Sequence, residues 1–244
     1  MIFTYYQPAL ITDFTPKSGP SSGNSTVSIY GAGFINSNET AAMTEIYVGF
    51  NNTETGEFIG NTKAYEINLN EIKTLTPAAP AGTRATLSIS KNNVNFVPIT
   101  GIGKTLSDNY YTYYEAPEVV SVNPNYGPVK SAKERHLTVS GRNFNCEDSS
   151  CDGLKCKFGT KPFPIFTNAE WINASNIKCV IPQLSRPEIV EVEVSLNGID
   201  YTHNEKKYSY YDAFVLDIAP HIGKPGGGTP ISVKGYGFAD TGPT

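Results

Sequence analysis

Ile67-Asn-Leu-Asn-Glu-Ile-Lys-Thr-Leu-Thr-Pro77 recurs without a gap as Ile172-Asn-Ala-Ser-Asn-Ile-Lys-Cys-Val-Ile-Pro182, with five identities in eleven positions at an offset of 105 residues. Self-similarity at a fixed spacing means repeated structural units, and this spacing sets their size at about 100 residues. The same offset carries Leu87 and Ile89 onto Val192 and Val194, and Phe96 onto Tyr201. Each stretch alternates apolar and polar side chains with period two. Each then reaches Asn92-Asn93 or Asn197-Gly198, which reads as a half-buried strand, a tight turn and the start of another strand.

Two further signatures set the phase of the repeat. A pair of prolines, an alternating strand and a Gly-x-Gly/Asn-Phe stop occur three times. They run from Pro16 through Val27-Ser-Ile-Tyr30 to Phe34, from Pro124 through Leu137-Thr-Val-Ser140 to Phe144, and from Pro220 through Ile231-Ser-Val-Lys234 to Phe238. A tyrosine-rich strand precedes each of these: Phe3-Thr-Tyr-Tyr6, Tyr111-Thr-Tyr-Tyr114 and Tyr208-Ser-Tyr-Tyr211. A unit therefore opens at the proline turn and closes on the tyrosine strand. Residues 8–116 and 117–213 read as complete units, residues 1–7 as the last strand of a preceding one, and residues 214–244 as the first strands of a following one. The joints are too short to be Gly/Ser coils, so the array is expected to be semi-rigid.

Composition agrees with an all-β chain. The 244 residues include 22 glycines and 17 prolines and only 17% charged side chains, which disfavours long helices and coiled coils. No apolar run approaches the ~18 residues of a membrane span, and the N-terminus shows neither the basic nor the apolar segment of a secretory leader. The net charge is -4. The basic residues scatter, with small groups at Lys130, Lys133, Arg135 and at Lys155, Lys157, Lys161, and no stripe suited to nucleic acid emerges.

Four asparagines stand in Asn-x-Ser/Thr sequons: Asn24, Asn38, Asn51 and Asn173. Four cysteines, Cys146, Cys151, Cys156 and Cys179, lie in one unit. An even, local count suggests two disulfides; the rival is zinc, although the spacing lacks the close Cys pairs of ordinary structural sites. Sequons and paired cysteines together favour an extracellular or cell-surface glycoprotein.

Catalytic patterns are sparse. His136, His203 and His221 fall in different segments, and no Gly-x-Ser-x-Gly elbow accompanies them. Glu147, Asp148 and Asp152 make an acidic loop that could supply oxygen ligands to calcium, but without an EF-hand pattern a solvated loop is the simpler reading. Gly226-Gly-Gly228 lacks the Lys-Ser/Thr of a phosphate cradle and reads as a turn. The tyrosine strands could stack carbohydrate, but Tyr-x-Tyr on a closing strand more simply packs its own sheet. No catalytic residue, metal or cofactor is expected.

The sequence of proline turn, alternating strand, Gly-x-Gly/Asn-Phe, a strand ending in Val48-Gly49 or Phe158-Gly159, and Ile-Lys-x-x-x-Pro resembles the IPT/TIG family of immunoglobulin-like domains. The resemblance implies tandem Greek-key β-sandwiches of about 90 to 100 residues. In extracellular members a cysteine of the third strand pairs with one just before the Ile-Lys-x-x-x-Pro proline, which implies a Cys156–Cys179 bridge and leaves Cys146 to pair with Cys151 around Glu-Asp-Ser-Ser. The first unit has Ile46 and Thr74 at those places. A structural or adhesive surface array, forming a filament or coat with other copies or units of itself, is the expected function. The alternatives are a plexin-like receptor ectodomain, an accessory domain of a carbohydrate-active enzyme, and a DNA-binding module, which would need basic loops that this sequence does not show.

Overall fold

The computed structural model describes residues 9–35, 44–98, 109–146, 151, 153–159 and 162–238. The first sandwich comprises β1 (Leu10–Thr15), β2 (Ser18–Pro20), β3 (Thr26–Ala32), β4 (Tyr47–Asn52), β5 (Phe58–Lys63), β6 (Glu66–Ile67), β7 (Glu71–Leu75), β8 (Arg84–Ser90), β9 (Val97–Pro98) and β10 (Tyr110–Tyr114). One sheet has the order β1-β3-β7-β6. The other runs β2-β10-β8-β4-β5, with β9 paired to β8. Alternation buries Val27 and Ile29 of β3, Val48 and Phe50 of β4, Leu87 of β8, and Tyr111 and Tyr113 of β10 between the two sheets. Phe14 and Phe34 are fully buried in the same core.

The second sandwich repeats the plan with β11 (Glu118–Asn123), β12 (Tyr126–Pro128), β13 (His136–Arg142), β14 (Lys155–Phe158), β15 (Ile165–Asn173), β16 (Asn176–Val180), β17 (Ile189–Ser195) and β18 (Lys207–Tyr211). Here the nine-residue β15 pairs with β14 through its first half and with β16 through its second. The two layers thereby join into one sheet of order β11-β13-β16-β15-β14-β17-β18-β12. In the first sandwich the same connection breaks at Ala64-Tyr65 into β5 and β6. Leu137, Val139, Cys156, Ile177, Cys179, Val192 and Tyr208 fill the second core.

Each opening strand ends in a cis peptide, at Thr15–Pro16, Asn123–Pro124 and Ala219–Pro220. The short strand beyond it runs parallel to the closing tyrosine strand, β2 beside β10 and β12 beside β18. A glycine on that short strand makes the pairing possible. A Cβ on Gly19 would stand 1.8 Å from the Tyr111 hydroxyl, and one on Gly127 would stand 2.1 Å from the Tyr208 hydroxyl.

The chain divides into two compact units, and the described residues of the 143–154 segment, with Ser195–Thr202, group with the first. Within that unit Asn197 Nδ2 donates to the Ser18 carbonyl at 2.9 Å and to the Asp200 carboxylate at 2.7 Å. The buried Ser25 hydroxyl donates to the same Asp200 oxygen. The buried polar side chains of Ser25 and Asn197 are thus paired here, as burial demands.

The last described strands, β19 (Phe214–Ala219) and β20 (Ser232–Tyr236), form a two-stranded sheet. Its register repeats that of β1 with β3. Val215 faces Gly235 and Asp217 faces Lys234, with Leu216 bulged, just as Ile11 faces Gly31 and Asp13 faces Tyr30, with Thr12 bulged. The tyrosine segment at residues 3–6 lies outside the described residues.

Candidate interaction surfaces

Both pairs of cysteines are bonded. Cys156 of β14 and Cys179 of β16 are fully buried with Cα atoms 6.0 Å apart, and Cys146 and Cys151 lie 5.2 Å apart. No cysteine among the described residues is free for zinc. In the first sandwich the corresponding Ile46 and Thr74 are fully buried, and the Thr74 hydroxyl lies 2.8 Å from that of Thr62. Glu147, Asp148 and Asp152 lie outside the described residues. Among the described residues no group of three or more His, Cys, Asp or Glu could hold a metal ion.

The sequon asparagines differ in setting. Asn24 is exposed in the turn before β3, with φ of 61°. Asn173 is exposed at the end of β15, where its Oδ1 accepts from the Ser175 amide at 2.9 Å. Asn51 is half-buried, because β4 does not stop at Gly49 but runs on to Asn52. Asn38 lies outside the described residues.

The three histidines each lie beside one carboxylate: His136 near Glu134 at 3.1 Å, His203 near Glu193 at 3.2 Å, and His221 near Asp217 at 3.8 Å. They are spread over separate strands and loops. Sequence reasoning missed the buried carboxylate of Glu193, which also pairs with the Lys157 ammonium of β14. Glu193 follows Val192 on β17, so period two turns it away from the core, and Lys157 and His203 lie beside its carboxylate.

Exposed apolar side chains occur in both sandwiches, and two surfaces that carry them stand out. In the second unit a groove of about 610 Å³ is lined by Phe158, Phe163, Ile189 and Tyr210, with Arg186 and Lys207 set against Glu188 and Glu191. Phe163 is 87% exposed. The other surface is the β19–β20 sheet. Val215, Ile218, Ile231, Val233 and Phe238 are all exposed, whereas their register equivalents Ile11, Phe14, Val27, Ile29 and Phe34 are buried. Among the described residues no helix is long and apolar enough to cross a membrane.

Comparison with known proteins places these features. The chain is 26% identical over 241 residues to human Fibrocystin-L, an alignment that spans 97% of this chain and 5% of that protein. The solved extracellular region of plexin A4 superposes with a TM-score of 0.49 and 16% identity over 91% of this chain and 18% of its own. The family model described as IPT/TIG domain matches twice, at residues 9–113 and 117–210, each match spanning one sandwich. The chain belongs to the IPT/TIG domain family.

Proposed function

We propose that this chain is a segment of a longer, non-enzymatic tandem array of IPT/TIG sandwiches at the cell surface or outside the cell. The array serves as a structural or adhesive element, glycosylated at its sequons and assembled with other copies or units of the same protein into a filament or coat. The observation that carries the reading is the β19–β20 sheet. It reproduces the register, the bulge and the Gly235–Phe238 packing of an opening hairpin, and it leaves exposed the side chains that a sandwich would bury. Residues 214–238 are therefore taken as the opening strands of a third unit, while the expected closing strand at residues 1–7 lies outside the described residues. Two disulfides support an oxidising compartment.

The test uses the natural full-length protein secreted from its own cells. Limited proteolysis should release a ladder of fragments differing by about 100 residues, and electron microscopy should show rods that associate laterally or end to end. A natural polypeptide holding only two sandwiches would end the array reading. A long but strictly monomeric protein would end the filament reading alone and favour a receptor ectodomain. The 610 Å³ groove beside Phe163 supports that second reading, because an exposed aromatic within a balanced set of charges suits a protein ligand.

A further inference from the structure

On the outer face of the first sandwich, Asn51 stands beside an aromatic pair. In the β4–β5 register Asn51 is the direct partner of Phe58, across a bulge that falls between Phe50 and Asn51. The Phe58 ring, 55% exposed, lies with its centroid 6.1 Å from that of Phe96. Phe96 in turn packs close over Gly49, where a Cβ would come within 2.9 Å of its ring. Asn51 Nδ2 is 3.5 Å from the hydroxyl of Ser88, on that same face. Opposite Gly49 stands Asn61, whose amide donates to Asn93 at 2.7 Å. Directly opposed strand residues hold their Cβ atoms about 5 Å apart, so a group attached to Nδ2 of Asn51 starts within reach of both rings.

We propose that Asn51 carries an N-linked glycan whose first N-acetylglucosamine packs on Phe58 and Phe96, making this glycan an ordered part of the sheet surface. The proposal rests on reading the chain as a secreted glycoprotein. Asn51-Asn52-Thr53 is a sequon, and the C–H-rich face of a pyranose complements the electron-rich face of an aromatic ring. The side-chain amide of Asn61, across from Gly49 in the register, and that of Asn93 bonded to it suit the hydroxyl and N-acetyl groups of the sugar. Attachment forms a bond between Nδ2 and the anomeric carbon of an oligosaccharide delivered on a polyprenyl diphosphate. The diphosphate leaves with the electrons of the broken C–O bond, and the amide gives up one proton.

The experiment uses the whole chain secreted from eukaryotic cells fed carbon-13-labelled sugar. Occupancy at Asn24, Asn38, Asn51 and Asn173 is read first by mass spectrometry, and then a form with Gln at the other three sites isolates the Asn51 glycan. Its first-sugar signals should be displaced upfield by ring currents. In Phe58→Ser they should return to free-glycan positions, and enzymatic release of the glycan should become several-fold faster. Because the Phe58 ring is largely exposed, that variant keeps the sandwich intact, as an unchanged melting temperature of the unglycosylated chain would verify. An occupied Asn51 with undisplaced signals, or with signals indifferent to Phe58→Ser, overturns the proposal. Sugar at other sequons but none at Asn51 overturns this proposal alone, whereas sugar at no sequon overturns the glycoprotein reading with it.

Discussion

The absence of one methyl group decides how each sandwich closes. Gly19 and Gly127 leave room for the hydroxyl ends of Tyr111 and Tyr208, and in the second unit the Arg135 guanidinium enters the same space and donates to the Tyr208 hydroxyl at 3.1 Å. Gly127→Ala is expected to cost about 1–3 kcal/mol through overpacking, since buried rings cannot retreat as a surface side chain would. Chemical denaturation measures it, and Tyr208→Phe in the Gly127→Ala background should recover part of the loss. Recovery by no amount would mean that the strained partner is Arg135. At Glu193 the cost has a different origin. Its side chain is 6% exposed and that of Lys157 18% exposed, so Glu193→Gln withdraws the carboxylate from a largely desolvated ammonium and should destabilise the second unit by about 3 kcal/mol. An effect below about 0.5 kcal/mol would show that the pair is solvated in solution. His203, with 83% of its side chain exposed, adds little to the pair.

Among the elements, the disulfide between β14 and β16 closes a loop of sequence separation 23. In the chain-entropy treatment such a loop contributes about 3 kcal/mol. Replacing Cys156 and Cys179 together by alanine, which leaves the Cys146–Cys151 bridge in place, should therefore lower the melting temperature of the second sandwich and leave that of the first, built on Ile46 and Thr74, where it was. A joint shift of both transitions in differential scanning calorimetry would contradict this. Much of the element plan was legible in the sequence, because period-two alternation and repeated stops at Gly31, Gly141 and Gly235 mark strands that bury one face. The length of β4 was not. Its continuation to Asn52 depends on pairing with β5 and β8, and Asn51, Thr53 and Glu54 look like turn residues in isolation. The Phe58–Phe96 pair was hidden for the same reason, since it depends on a bulged register between strands and on a loop returning over Gly49. The fusion of two sheets through β15 depends only on whether Ala169 and Trp171 continue the strand, and local propensity does not distinguish that path from the break at Ala64-Tyr65.

At the scale of the whole molecule, the closing strands make stability sensitive to alkali. Burial pushes the phenols of Tyr111, Tyr113, Tyr114, Tyr208 and Tyr210 above the ordinary value of 10.0. Because the folded values lie above the unfolded ones, the contribution of these groups is intact below pH 10 and is lost as the pH rises from there towards the folded values. These five phenols should appear in the phenolate absorbance only as circular dichroism is lost; their titration in the folded chain would contradict the burial. The β19–β20 sheet governs association instead. Its five core-type side chains form a contiguous apolar face of the kind that soluble monomers seldom expose, and a two-stranded sheet has no second layer of its own to cover it. The chain should therefore bind an apolar fluorescent dye and self-associate as concentration rises. Val233→Lys together with Ile218→Lys should abolish both behaviours while shifting the unfolding free energy of the two sandwiches by no more than about 0.5 kcal/mol. If the double variant instead lowered the stability of a sandwich by several kcal/mol, the sheet would be packed against its own chain, and the argument for a third unit built on its exposed face would fail.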